Sequence, residues 1–213
     1  MECDYKCHLF CVGDAHTGKT TLTKTYTNGG YLLSEMYASR LNFDFDIKTI
    51  LVDDKEIRML LWDTMGQETF CTLSSANKPF YRNKDIILVA YDVNNHESFQ
   101  HAKDYWYEQI KTWYPSTIVI LVGTKADTIS KHYSRQVTYE QGLELSSELG
   151  IPFFETSSKN FTGLNELFDY CAKVYFVQQP VHQFIQNTTV KHTPTLTSNI
   201  SSLFKQITNY LTF

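Results

Sequence analysis

The chain has 213 residues, 42% of them hydrophobic and 15% aromatic, and a formal charge of −4 from 19 basic and 23 acidic side chains. That is room for one generous domain, or a domain with a tail, and apolar enough to bury a core. The near balance of charge supplies no global field for nucleic acid or anionic membrane, and no apolar run reaches the ~20 residues that span a bilayer. A soluble intracellular protein is expected rather than an integral membrane protein, a collagen-like chain or a basic histone-like binder.

Short apolar runs alternate with helical patterns along the chain. Residues 5–12 end in Leu9-Phe10-Cys11-Val12, a buried-strand pattern that stops at Gly13. A polar, helix-compatible stretch, Lys19 to Thr27, follows. Residues 45–52 and 56–62 form two strands joined by the turn Asp53-Asp54-Lys55, so they read as a hairpin. Two wholly apolar strands come next, 86–91 and 118–122, with a helix over roughly 96–113 between them. A further helix is predicted from Thr138, its N-cap, to Leu149, with Gly150 ending it. Pro152-Phe153-Phe154 makes a short last strand, and 161–177 a final amphipathic helix. The alternation predicts an α/β fold: a mostly parallel six-stranded sheet with one antiparallel edge strand and helices on both faces. The five cysteines, Cys3, Cys7, Cys11, Cys71 and Cys171, are odd in number and contain no Cys-x-x-Cys pair. They read as buried or incidental thiols.

The chemistry gathers in the loops. Gly13-Asp14-Ala15-His16-Thr17-Gly18-Lys19-Thr20 fits G-x-x-x-x-G-K-[ST] between a buried strand and a helix, the P-loop of an NTPase fold. Its glycines let backbone N–H groups turn inward around a polyphosphate, and the helix N-terminus adds its dipole. Lys19 can reach the outer phosphates, the Thr20 hydroxyl can ligate Mg²⁺, and Thr21 extends the loop into the helix. Asp63-Thr64-Met65-Gly66-Gln67-Glu68 follows the strand ending at Trp62. There Asp63 can hold Mg²⁺ through water, Gly66 can offer an N–H to a γ-phosphate, and Gln67 can orient a water for in-line attack. Thr124-Lys125-Ala126-Asp127 follows the strand 118–122. Asp127 can accept two hydrogen bonds from guanine, which adenine does not offer on that edge, and Lys125 can lay its stem along the base. After the last strand, Thr156-Ser157-Ser158-Lys159 can bring a backbone N–H to the base oxygen. A P-loop kinase for a small metabolite is disfavoured by the Thr124–Asp127 motif and by the want of an evident lid.

With these loops in order, residues 5–177 resemble a small GTPase of the Ras superfamily. Trp62-Asp63-Thr64-Met65-Gly66-Gln67-Glu68, Phe80-Tyr81-Arg82, Tyr91-Asp92-Val93 with Glu97-Ser98-Phe99, and Phe154-Glu155-Thr156-Ser157-Ser158-Lys159-Asn160 are similar to segments of the Rab branch. Gly123-Thr124-Lys125, Trp113-Tyr114-Pro115 and Val137 to Leu143 look like the Rho branch. The resemblance implies a divergent Rab-like switch that binds GTP or GDP with Mg²⁺, hydrolyses GTP slowly with Gln67 and Lys19 as catalytic residues, and acts in membrane traffic. It implies nucleotide contacts from Gly13 to Thr21, Gly66, Thr124, Lys125, Asp127 and Ser157 to Lys159, with Tyr31 packed on the guanine edge. Exchange factors, activating proteins and effectors would read both switch loops and the aromatic triad Phe45, Trp62 and Phe80; the plainer alternative is that Phe45 and Trp62 cover the hairpin's core face. A cytoplasmic location follows, with peripheral contact on the cytosolic face of an endomembrane open. The alternative is a pseudo-GTPase, an interaction module with little turnover.

The chain departs from that family in ways that keep the alternative alive. Aligned on Asp44-Phe45, Arg40 stands where Rab proteins carry the threonine that binds Mg²⁺, and Met65 replaces the alanine before the second-switch glycine. An arginine has no acceptor for a metal. Ser39 slipping into the ligand role, Arg40 reaching the phosphates as a built-in cation, and a loop that does not order over Mg²⁺ are three open readings. The domain is drawn as 1–177, with 178–198 a linker or extension poor in charge. In 199–213, Ile200, Leu203, Phe204, Ile207, Tyr210 and Leu211 fall on one stripe of a predicted amphipathic helix, suited to docking on protein in cis or in trans, an oligomer included, with a membrane interface as the alternative surface. No cysteine follows Cys171, so no C-terminal prenylation is expected on this sequence. Single-turnover GTP hydrolysis separates the readings of Arg40. If it is a built-in finger, Arg40→Ala lowers the rate ten-fold or more with nucleotide affinity intact; if the switch is defective, Arg40→Thr speeds hydrolysis or tightens binding of a GTP analogue.

Overall fold

A computed structural model describes residues 3–30, 45–63, 84–127 and 134–188, with side chains for all of these except Asp63 and 180–188. The chain divides into two units, Met1–Ala172 and Lys173–Phe213. The first holds strands β1 (Tyr5–Val12), β2 (Phe45–Val52), β3 (Lys55–Asp63), β4 (Ile86–Asp92), β5 (Ile118–Thr124) and β6 (Phe153–Glu155), in the sheet order β2-β3-β1-β4-β5-β6. Only β2 runs antiparallel, against β3; β1 pairs in parallel with β3 and β4, and β5 with β4 and β6. The predicted hairpin, its edge strand and the parallel remainder are therefore present. Asp53 and Asp54, at φ 49° and 61°, both sit in the left-handed region that a tight hairpin turn demands and that aspartate tolerates.

The helices are α1 (Lys19–Asn28), α2 (His96–His101), a π-helical stretch (Ala102–Tyr107), α3 (Glu108–Trp113), α4 (Tyr139–Leu149) and α5 (Leu164–Thr188). The single helix predicted over 96–113 is thus continuous but widened in its middle. Helix α4 begins and ends where its punctuation dictates: Thr138 and Gln141 form a reciprocal capping box, and Gly150 closes it at φ 64°. The last helix differs from expectation. It starts at Leu164 rather than 161 and its backbone continues past 177 to Thr188, through Pro180. The expected end at 177 rests on the change of composition at Gln178, after which no acidic residue follows, and the backbone runs on regardless of it.

Strand alternation sorts the core into two layers. On one face Phe10, Val12, Ile87, Val89, Tyr91 and Leu121 pack against Trp106, Ile110 and Leu145 from the helices. The alternate residues Cys7, Leu9, Cys11, Ile86 and Leu88 are buried on the other face. There Tyr26 of α1 stacks on Phe168 of α5 at 3.9 Å between ring centroids. Cys7, Cys11 and Cys171 are fully buried as expected, and burial pushes the Cys7 and Cys171 thiols well up. Among the described residues no helix is long and apolar enough to cross a membrane.

Just before β4, the Lys84 ammonium lies 3.7 Å from the Phe10 ring centroid and 4.3 Å from that of Trp62. Burial lowers its pKa from the ordinary 10.5 to about 8, against an opposing pull from Asp85. Between those two values the folded chain binds fewer protons at Lys84 than the unfolded chain does, so this group makes stability rise with pH across that window. Urea unfolding at several pH values from 7.5 to 10 should therefore show a smaller rise, or a steeper loss, for Lys84→Met than for the wild type.

Candidate functional site

The loops singled out in the sequence meet at the carboxyl ends of β1, β5 and β6, the ligand edge of an open α/β sheet. The first begins at Gly13, which follows β1 at φ 143°. A Cβ there would stand 2.1 Å from the Ala90 carbonyl oxygen, so the backbone turns away from β4 only because residue 13 has no side chain. His16 and Gly18 also take left-handed conformations, at φ 63° and 87°. The turn is closed by Thr17, whose hydroxyl donates to the Asp14 carbonyl at 2.9 Å. The Lys19 ammonium lies beneath the loop, donating to the carbonyls of Gly13 at 2.7 Å and Asp14 at 2.5 Å. Helix α1 is preceded by Gly18 as N-cap, with no side-chain cap and no acidic residue in its first turn. Its positive end is therefore not neutralised by its own sequence, which suits an anion. Thr20 and Thr21 stand half-buried in that first turn, and Ala15 is exposed.

Two side chains from the 124–127 loop join this phosphate-type loop to the sheet. The buried Thr124 hydroxyl lies 2.5 Å from the Thr17 carbonyl oxygen and 2.8 Å from that of Tyr91. The Lys125 ammonium donates to the His16 carbonyl and to Asp92 Oδ2, each at 2.7 Å, from a backbone at φ 59°. The stem of Lys125 passes alongside Gly18. Asp127 faces the loop after β6: its Oδ1 accepts the Ser157 hydroxyl at 2.6 Å, and Lys159 stands 4.0 Å from Oδ2. The Asp127 side chain is only 6% exposed, so an unmet carboxylate oxygen there would be costly. Backbone bonds from Ala126 to Thr156 and from Thr156 to Gly123 lock the two loops side by side. Gly163 holds the far side, since a Cβ on it would meet the Glu155 carbonyl oxygen at 2.1 Å. Ser158 is half-buried beside Ser157, and Lys159 is exposed.

The residues from Gly13 to Thr21, Thr124, Lys125, Asp127 and 157–159 are thus brought to one edge. Asp63 ends β3 opposite Cys11 in the register, and its side chain lies outside the described residues. Tyr31, Ser39, Arg40, Met65, Gly66, Gln67 and Phe80 also lie outside them, as does 199–213. Two contacts escaped the sequence reading. The Asp14 carboxylate accepts the Trp106 indole N–H at 2.8 Å and lies 2.6 Å from His101 Nδ1. No local motif links residues 87 and 92 apart in the chain.

The Ras family model matches residues 8–176. Ras-related protein RIC1 of Oryza sativa subsp. japonica is 39% identical over 168 residues, covering 78% of this chain and 79% of the rice protein. Ras-related proteins RABD2c and RABD2a of Arabidopsis thaliana are 38% and 36% identical over the same length, covering 78% of this chain and 79% and 78% of their own. The bridging hydroxyl of Thr124 is open to test without any ligand. Thr124→Val removes the single buried hydroxyl proton that lies between the carbonyls of Thr17 and Tyr91 and should cost about 1–3 kcal/mol of unfolding free energy, read from urea denaturation, whereas Thr124→Ser should cost less than half as much.

Proposed function

Because the chain belongs to the Ras family of small GTPases, we propose that it is a guanine-nucleotide switch of Rab-like character that hydrolyses GTP slowly and recruits partners while GTP is bound. The observation that carries this is the physical joining of two loops: Thr124 and Lys125 tie the phosphate-type loop directly to the strand end that presents Asp127. A site so joined selects the base and grips the phosphates as one unit. In this reading the inward N–H groups of Gly13 to Thr21 cradle the phosphates, and Lys19 leaves its two loop carbonyls for phosphate oxygens. Asp127 accepts the two guanine donors while Ser157 holds its orientation, and Lys125 covers the base.

Mg²⁺ fits the donor set. The Thr20 hydroxyl at the start of α1 and the Asp63 carboxylate at the end of β3 are hard oxygen ligands, with Ser39 a further candidate. The ion supplies charge neutralisation between phosphates, and this chain's part is to hold it there. Gln67 and Gly66 would complete the hydrolytic side, with Lys19 the fixed positive charge. In this reading the nucleotide domain is 1–177, with 178–198 an extension and 199–213 the segment that carries the apolar stripe.

Partner reading is assigned to the sheet edge. Phe45 and Trp62 lie 4.7 Å apart between ring centroids, and β2 leaves Phe45, Ile47 and Leu51 exposed on alternate positions. With Phe80 and the two switch segments this would form the surface met by effectors, exchange factors and activating proteins, in the cytoplasm or on the cytosolic face of an endomembrane. No described feature of the loops favours the alternative of a nucleotide-holding module without turnover.

Two measurements test the reading. The purified protein should carry GDP or GTP, and with Mg²⁺ should hydrolyse GTP in a single turnover at roughly 10⁻⁴ s⁻¹. Asp127→Asn should weaken GDP binding by several kcal/mol, on the order of a thousandfold, and move preference toward xanthine nucleotides, because the base donors and the pocket are both left unpaired. Equal GDP affinity for variant and wild type would refute the assignment of Asp127.

A further inference from the structure

Asp14 places a carboxylate charge inside the loop that, on the reading above, cradles phosphate beside the uncapped N-terminus of α1. That charge is held by two donors. Oδ1 accepts from Trp106 Nε1 at 2.8 Å, and Oδ2 lies 2.6 Å from His101 Nδ1. Trp106 is 4% exposed and packed among Phe10, Ile87 and Ile110, so its N–H is aimed by the core rather than by a mobile side chain. His101 adds a second donor from the half-exposed end of α2.

The local backbone explains how both reach one carboxylate. His101 and Trp106 are five residues apart, which on an α-helix turns them about 140° away from each other. They flank and enter the π-helical stretch Ala102–Tyr107, whose i→i+5 turns bring residues five apart close to one face. The widened turn is therefore what lets both donors converge on Asp14. Resting on the guanine-nucleotide reading above, we infer that Trp106 and His101 are positioning residues that turn the Asp14 carboxylate toward the 96–113 helical segment and away from bound phosphate, and thereby lengthen the residence of the nucleotide. A carboxylate released from them would swing near like charge and speed release.

The test is a double-mutant cycle on the full chain, reading release of a fluorescent GDP in the presence of Mg²⁺. His101→Ala and Trp106→Phe should each speed release threefold or more, and neither should do so in an Asp14→Ala background, where no charge is left to restrain. Loss of packing alone would speed release by the same factor in both backgrounds, and that result overturns the proposal. So does release that neither variant changes. His101→Ala alters a half-exposed side chain, so it carries the test even if Trp106→Phe lowers the yield of folded protein. A wild-type chain that retains no GDP at all would overturn the nucleotide reading and this inference together, whereas bound GDP that is indifferent to the cycle overturns this inference alone.

Discussion

There is no room for a side chain at residue 13. The place where its Cβ would lie is taken by the Ala90 carbonyl oxygen, 2.1 Å away. The end of β1 can therefore lie hard against β4 and reverse at once into a loop that closes over Lys19. Everything else at this edge depends on that reversal. It sets the carbonyls of Gly13 and Asp14 around the lysine, the carbonyls of His16 and Thr17 within reach of Lys125 and Thr124, and the bare end of α1 toward the open side. A larger residue at 13 would not merely weaken one contact. It would separate two neighbouring parallel strands at the point where three loops converge.

Much of this was legible in the sequence because it is written in local punctuation. Gly13 after a run of buried apolar residues, Asp53-Asp54 between two strand patterns, and Thr138 with Gln141 before Gly150 each prescribe a backbone conformation within a few residues. The loop residues Lys19, Thr124 and Asp127 were legible for a different reason: their spacing from a strand end fixes where they emerge. Thr124 was visible only as one of the nucleotide-contacting residues that the resemblance implies. Its hydroxyl bridge between Thr17 and Tyr91 depends on how three segments meet, and no segment encodes that alone.

What escaped shares one property: it is decided by tertiary packing against local preference. Residues 96–113 read as one ordinary helix, and the widening between Ala102 and Tyr107 leaves no mark in hydrophobic periodicity. No motif marks Lys84, although its ammonium lies over Phe10 and Trp62. In each case the deciding partner is far away in sequence.

The π-helical stretch also bears on how this segment can change its length. A six-residue run of wide turns behaves as though one residue had been added to an α-helix, and deleting one residue would let the backbone relax into regular α geometry at little local cost. Because the wide turns already absorb that extra residue, such a deletion would leave the two flanks in phase, with Ser98 still facing Asp92 and Trp106 and Ile110 still facing the core. The number of residues between α2 and α3 is thus less constrained than the identity of those that face inward, and loss of an outward-facing residue such as Asp104 would do less damage than replacement of Trp106 or Ile110.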